Sequence, residues 1–311
     1  MTDSFFLTWE FQKTWWDAFG AKDALCLVTA RADDGALIGI APLYAETLTD
    51  GRRALRIIGG VDVADYLDLI VPSAEARELL DAMLKYLRDD CPCPWDALDF
   101  HDLPAASPTR DLLASLAPAH GFSVTSKVED VCPLIRLPAS FDEYLAALDK
   151  KQRHELRRKT RKAYAEADVR WHIVDGQRDL RAETQAFIDL QQASRAEKGD
   201  FMTEPMQRFF HALTRAAFDA GWLELSFIEV NGQRAATYMN FDYNGAILVY
   251  NSGYDPQAYS SLSPGIVLLT HLIKRAIEQR RATFDFLRGN ETYKYRMGAQ
   301  DTDVYQVTLA R

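Results

Sequence analysis

The residues best suited to chemistry gather between Tyr250 and Gly298, in the stretch YNSGYDPQAYSSLSPGIVLLTHLIKRAIEQRRATFDFLRGNETYKYRMG. Ser263-Pro264-Gly265 opens an amphipathic run. Serine suits a helix N-cap, proline the first helical position, and glycine lets a ligand approach the backbone. Free N–H groups and the helix dipole at such a start suit a phosphate or pyrophosphate. Downstream, Asp285 sits within the apolar strand Thr283 to Leu287 and needs a partner, such as Arg288 or Arg296. Arg288-Gly289 ends that strand where a ligand can reach the backbone. Tyr293, Lys294, Tyr295 and Arg296 form an aromatic and cationic tail. For acid–base work, Asp285 and Glu291 are the nearest carboxylates for accepting a proton, and Tyr250 or Tyr254 can return one to a leaving group. No Ser-His-Asp or Cys-His pattern points to a nucleophile on the protein.

A second concentration of charge lies in KKQRHELRRKTRK, Lys150 to Lys162, with eight basic residues and one acid. Arg153, Arg157 and Arg161 recur every four residues and share a helix face. Such a run is either a solvated helix countered by acids elsewhere or a clamp for a polyanion. The polyanion would be coenzyme A phosphates, a nucleotide-sugar or the acceptor stem of a charged tRNA. Arg153, Arg157, Tyr254 and Arg296 are the candidate substrate contacts.

The elements that must position these residues follow from periodicity and turn chemistry. The first half reads as a helix (Trp9 to Gly20), then three strands: Leu25 to Arg31, Ala36 to Tyr44 and Ala54 to Gly59. Asp34-Gly35 and Asp50-Gly51 are the turns between them. A strand (Tyr66 to Val71), a helix (Ala74 to Asp89), a strand (Trp95 to Phe100) and a helix (Thr109 to His120) follow. The second half repeats the plan. A helical region, Phe141 to Ala167, precedes the strand Val169 to Val174 and the helices Leu180 to Lys198 and Met206 to Ala220. A meander with Asn231-Gly232 and Asn244-Gly245 turns comes next, then a strand–loop–helix–strand unit and a closing strand, Val304 to Ala310. The expectation is an α/β fold with mixed sheets in two similar modules, residues 1–137 and 138–311.

At 311 residues, 48% hydrophobic and 26% charged, the chain has the composition of a globular protein of about two domains. The net charge of −9 argues against DNA or anionic membrane as a general partner. No apolar run approaches the roughly 20 residues of a membrane span. The start lacks the basic, apolar and small-residue regions of a signal peptide, so a cytoplasmic location is expected. Of the four cysteines, Cys91-Pro92-Cys93 is too closely spaced for a zinc knuckle, and His101 is a distant further ligand. Reduced thiols and no metal are expected.

The basic helix, the YNSGYDP turn, SPG before the long helix and DFLRGNETYKYRMG, with GIAPLY and ADYLDLIV in the first half, resemble the CelD/BcsL-type acetyltransferases. These are GNAT-fold enzymes similar to the Fem peptidyltransferases. The resemblance spans about Trp9 to Gly298. It implies two tandem GNAT-like domains, the first non-catalytic, and transfer of an acyl group from acyl-CoA (acetyl-CoA) to an amine, in polysaccharide or cell-envelope biosynthesis. By resemblance, Ser263, Gly265, Arg288, Gly289 and Tyr293 hold the donor and Lys294 stabilises the developing oxyanion. One departure stands out: such enzymes carry Gln/Arg-x-x-Gly-x-Gly/Ala before the helix, whereas Ser260-Ser261-Leu262-Ser263-Pro264-Gly265 keeps only the last glycine. That leaves open a Fem-like aminoacyl-tRNA-dependent transferase, or a binding module that retains the fold without catalysis.

Overall fold

The computed structural model describes residues 2–60, 62–194 and 196–310. Along the first part run α1 (Trp9–Phe19), β1 (Ala24–Arg31), β2 (Leu37–Thr47), β3 (Arg53–Ile57), α2 (Ala76–Asp89), β4 (Ala97–Pro104), α3 (Thr109–Leu116) and β5 (Ser123–Val131). Then come β6 (Leu134–Arg136), α4 (Phe141–Ala147), α5 (Lys150–Glu166), β7 (Val169–Ile173), α6 (Leu180–Ser194), α7 (Ala196–Phe201) and α8 (Glu204–Asp219). The chain closes with β8 (Leu223–Val230), β9 (Gln233–Tyr243), β10 (Ala246–Tyr254), α9 (Pro264–Glu278), β11 (Thr283–Asp285), α10 (Thr292–Arg296) and β12 (Asp303–Ala310). Two compact units result, residues 1–132 with 302–311 and residues 133–301. Among the described residues no helix is long and apolar enough to cross a membrane.

Each unit is built on a six-stranded mixed sheet, in the order β1-β2-β3-β4-β12-β5 in the first and β6-β11-β10-β9-β8-β7 in the second. The same plan generates both. An antiparallel meander (β1-β2-β3 or β8-β9-β10) leads through a helix to a strand that pairs in parallel with the meander's last member. That parallel pairing joins β3 to β4 at Ala54↔Ala97 and Leu55↔Leu98, and β10 to β11 at Ala246↔Thr283 to Leu248↔Asp285. The Asn-Gly turns have positive φ at both residues (Asn231 52°, Gly232 79°; Asn244 47°, Gly245 75°), the type I′ geometry whose twist matches a hairpin. At the Asp-Gly turns only the glycine is left-handed.

Three expectations change. The closing strand belongs to the first unit: β12 lies between β4 and β5, with Val304, Val307 and Leu309 fully buried there. Tyr66 to Val71 is not a strand but a loop with one bridge, Ile40↔Ile70. There Asp68 accepts from Leu69 N–H and the Thr109 hydroxyl, which replaces ladder bonds with side-chain ones. The helical region Phe141 to Ala167 is two helices. The Ser140 hydroxyl caps α4, and Asp149 Oδ1 caps α5 by accepting from Gln152 N–H at 2.9 Å. β5 went unread because it is an edge strand with no regular buried face. Of the helix expected over Leu180 to Lys198, Arg195 lies outside the described residues, and α7 continues through Gly199.

Across one face of the first sheet runs a polar network. Arg56 on β3 binds Glu46 on β2 and Asp99 on β4, while the two ring nitrogens of His101 meet Asp99 (2.9 Å) and Glu129 on β5 (2.5 Å). Gln306 and Thr308 on β12 also donate to Asp99. Burial opposes charge on His101, but its hydrogen bonds to Asp99 and Glu129 prevail and raise its pKa to about 9 from 6.5. The imidazole is therefore charged in the folded protein at neutral pH. Its contribution is fully present below pH 6.5 and lost as pH rises through 9. At roughly 1.4 kcal/mol per pKa unit, the loss is on the order of 3 kcal/mol. Urea unfolding below pH 6.5 and above pH 9 should show this decline, and His101→Gln should flatten it. Equal pH profiles for the two proteins would rule the network out as its cause.

Candidate active site

β10 and β11 pair over three positions and then part, while β10 runs on to Tyr254 against β9 alone. A β-bulge between Val249 and Asn251 takes Tyr250 out of the β9 register and bends β10 away, as bulges do. The result is a wedge between two parallel strands. Leu248 opposes both Phe241 and Asp285, so Asp285 lies on the Phe241 face of the sheet. The Tyr250 ring stands on that same face, 5.1 Å from Phe241 and 5.8 Å from Phe210. Asp285 is buried and its Oδ1 accepts from Leu287 N–H at 2.8 Å. Phe284 and Phe286 turn the other way, into the core under α9. Further along β10, Gly253 touches α6 so closely that a Cβ would lie 2.4 Å from the Gln191 nitrogen. Gln191 is buried, and its Oε1 has no hydrogen-bond partner.

The loop after β10 delivers the start of α9. Ser263 occupies the N-cap position as expected, but not with the expected chemistry. It is left-handed (φ 52°, ψ 52°) and its side chain makes no cap bond. Its carbonyl instead accepts from both Ile266 and Val267 N–H at 3.1 Å. Pro264 has no N–H, so among the described residues Gly265 offers the remaining first-turn amide, and a Cβ there would make only an ordinary contact, 3.9 Å from the Ala236 Cβ. A cation compensates: Lys162 of α5 reaches the Ser261 carbonyl at 3.1 Å. An anion at this helix start would meet one amide, the helix dipole and an ammonium.

Lys294 proves to be a buried clamp. It is 2% exposed, and its Nζ donates to the carbonyls of Leu287 (3.0 Å), Arg288 (2.8 Å) and Gly289 (2.9 Å). It also pairs with Glu291 at 2.9 Å. An ammonium has three donors, so none remains for an oxyanion in this conformation, and Glu291 is committed to the same clamp. The clamp holds the turn out of β11, where Leu287 is left-handed (φ 57°) and Gly289 has φ 108°. Tyr293 packs edge-on against Phe286 at 5.9 Å. Arg288 and Gly289 are half-buried in the turn itself, and Arg296 and Tyr254 are exposed.

The structure separates the candidates into groups. Tyr250 and Asp285 share a sheet face at the wedge; Ser263 and Gly265 stand at the α9 start; Glu291 and Lys294 form the clamp. The basic helix divides again. Arg153 donates to the carbonyls of Leu145 and Ala146 and so fastens α5 to α4. Arg157 and Arg161 are exposed and, with Lys274 of α9, line a cavity of about 340 Å³. Burial holds the pKa of His271, in the same cavity, below its usual range, so its ring is neutral. Among the described residues the ion pairs of α5 are internal, Arg158–Glu155 and Lys162–Glu166. The bulge at Tyr250, the contact of Gln191 with Gly253 and the role of Lys162 carried no signal that a single sequence reveals.

Lys294→Met should destabilise the protein by about 3 kcal/mol or more, because three carbonyls lose their donor together. Glu291→Gln, on the half-exposed partner, should cost about 1 kcal/mol or less. Urea unfolding checks both, and equal small losses would show that the ammonium is not structural.

Residues 150–295 match the family model described as Acetyltransferase (GNAT) domain. No curated protein matches the chain significantly in sequence. Among solved structures, that of FemX superposes with a TM-score of 0.68 at 12% identity, covering 98% of this chain and 92% of that one. L-PGS from Bacillus licheniformis gives 0.57 at 11%, covering 98% and 92%. A conserved protein from Bacteroides thetaiotaomicron VPI-5482 gives 0.58 at 14%, covering 98% and 91%. At these identities the likeness is one of fold. The matched segment holds the wedge, the α9 start and the clamp, so the second of the two units carries the likeness to a GNAT acetyltransferase domain, and the first shares its sheet plan.

Proposed function

We propose that the protein is an N-acyltransferase of the CelD/BcsL kind, taking its acyl group from an acyl-CoA, with acetyl-CoA the simplest, and delivering it to an amine. The observation that carries this reading is the wedge between β10 and β11, with the α9 start at its mouth. The stretch of β10 beyond the short ladder suits an extended pantetheine arm, whose amides would continue that ladder. The phosphate end fits less fully, since Gly265 N–H and Lys162 are what the chain offers there. When bound, the donor supplies an activated thioester. The amine nitrogen bonds to the acyl carbon as the C–S bond breaks; the sulfur leaves with the electron pair, and the nitrogen gives up a proton.

In this reading Tyr250 protonates the leaving sulfur and Asp285 draws the amine's proton, directly or through water. The buried Gln191 Oε1 accepts from an amide or ammonium of a substrate. Lys294 acts by holding the Leu287–Gly289 turn rather than by touching the acyl group. Arg288, Gly289 and Tyr293 shape that wall of the wedge, and Arg296 and Tyr254 stand at its rim. The first unit supports rather than catalyses: its equivalent wedge, past Leu55↔Leu98, is bridged by Arg56 bound to Asp99 at 2.8 Å. The acceptor class is an amine of polysaccharide or cell-envelope synthesis, by family resemblance, and an acyl-CoA donor would place the reaction in the cytoplasm.

One feature favours a Fem-like transferase that uses charged tRNA: Arg157 and Arg161 are exposed on a helix whose ion pairs are internal. The two readings separate by donor. Acetyl-CoA or a longer acyl-CoA should raise the melting temperature, and free CoA thiol should appear with an amine acceptor. No thermal shift up to about 1 mM donor, the top of the usual KM range, would sink the first reading. Steeply salt-dependent tRNA binding would establish the second.

For the acyl-CoA reaction, Tyr250→Phe should lower kcat on the order of 10²-fold with little change in KM. Lys162→Ala should raise the donor KM roughly tenfold with kcat nearly intact, as expected for one lost charge-assisted hydrogen bond. Unchanged kinetics in either variant would remove that residue from the site.

A further inference from the structure

The first unit contains a cluster that its charged network does not use. Cys26 lies on β1, and Cys91 and Cys93 lie in the connection from α2 to β4. Their three sulfurs fall within 4.8 Å of one another, and Cys26 Sγ is 4.0 Å from Cys91 Sγ. Among the described residues, these three are the group of His, Cys, Asp or Glu side chains gathered this tightly. Cysteine packed as a small apolar residue has no need of sulfur neighbours. Cys91 and Cys93 are only half-buried, while Cys26 is 6% exposed, so the cluster has a buried floor and an open side. Cys132, the remaining thiol, is not part of the group.

The separations can be set against coordination geometry. Three sulfurs each about 2.3 Å from one ion lie about 3.8 Å apart in a tetrahedral arrangement and about 4.0 Å apart in a trigonal one. The observed spacing needs little contraction to reach either. Pro92 stiffens the link between the two loop sulfurs and limits the entropy lost on binding. His101, the further ligand expected from sequence, is not available, because Asp99 and Glu129 occupy both its ring nitrogens.

We propose that Cys26, Cys91 and Cys93 form a three-sulfur site for one thiophilic divalent cation of the Zn2+ class, with its fourth position open to solvent. On binding, each thiol loses its proton to solvent and three S–metal bonds form, with no change in oxidation state. An ion there ties edge strand β1 to the α2–β4 connection. The site's chemistry is thiolate and soft, separate from that of the acyltransferase domain.

The test uses the full chain, reduced and metal-free, titrated with Cd2+ as a spectroscopic probe and with Zn2+. The expected result is thiolate-to-Cd2+ charge-transfer absorption that saturates at one ion per chain, together with Zn2+ protection of three thiols from an alkylating reagent. Cys91→Ser and Cys93→Ser should each weaken binding by more than the roughly 10–100-fold typical of losing an outer-shell contact. Cys132→Ser should leave the titration unchanged. Cys26→Ser removes the buried ligand; if it misfolds, the two half-exposed loop variants still decide the matter. Absence of the charge-transfer band, or binding unaltered in both loop variants, would overturn the proposal. So would a Cys26–Cys91 disulfide that persists in reductant, since the cluster would then be a crosslink.

Discussion

A buried ammonium holds the backbone turn on which the candidate active site depends. After β11 the chain adopts a left-handed leucine, Leu287, then a positive-φ glycine, and points three consecutive carbonyls at one place. A left-handed L-residue costs on the order of 1–2 kcal/mol, and three carbonyls facing one another are also unfavourable. Lys294 offsets both by donating to all three, and Glu291 balances its charge. From below, Asp285 accepts from Leu287 N–H. Because the turn is fixed on both sides, β11 leaves the sheet after three residues and parts from β10. The bulge at Tyr250 completes the divergence from the other strand.

The two units show that topology alone does not make such a site. Each has a meander, a helix and a parallel returning strand, and in each the parallel ladder is brief. In the first unit the next register position pairs Arg56 with Asp99 side chain to side chain. His101 and Glu129 extend that network, and β12 packs beside β4. An ionic lattice fills the space that the second unit leaves to strand edges and Tyr250. Its cost in desolvation is met by hydrogen bonds on nearly every polar atom, as a buried network requires.

Much of this was legible in sequence where local rules act alone. The Asn-Gly hairpins, the amphipathic α9 and the alternating helix and strand plan follow from turn chemistry and periodicity, and the resemblance carried by DFLRGNETYKYRMG and the basic helix located the domain. What failed was long-range or depended on a few dihedral angles. Asp149 followed by Gln152 is a capping signature that splits the helical region in two, but a continuous polar run hid it. The TYKYR tail suggests a task for Lys294 at the acyl group, because nothing in it says that the ammonium folds back five to seven residues. The cysteine cluster needs β1 and the α2–β4 connection to meet, which spacing along the chain cannot show. Ser263 looked like an N-cap by type, whereas its carbonyl does the capping.

That last difference bears on how an anion could be held. In a helix start with free amides, a phosphate is bound by the backbone and any side chain is secondary. Here the Ser263 carbonyl takes the Ile266 and Val267 amides and proline removes another, so the backbone contribution shrinks to Gly265 and the dipole. Lys162 stands at the loop instead, and among the described residues the ion pairs of its helix are internal and leave out Arg157 and Arg161. Recognition thereby moves from amides, which require close geometric fit, to long cationic side chains, which tolerate several phosphate positions. A site of this kind discriminates poorly among anionic carriers by their phosphates. In the proposed reaction, selection of the donor then rests on the wedge itself, with Tyr250, Asp285 and the turn that Lys294 holds.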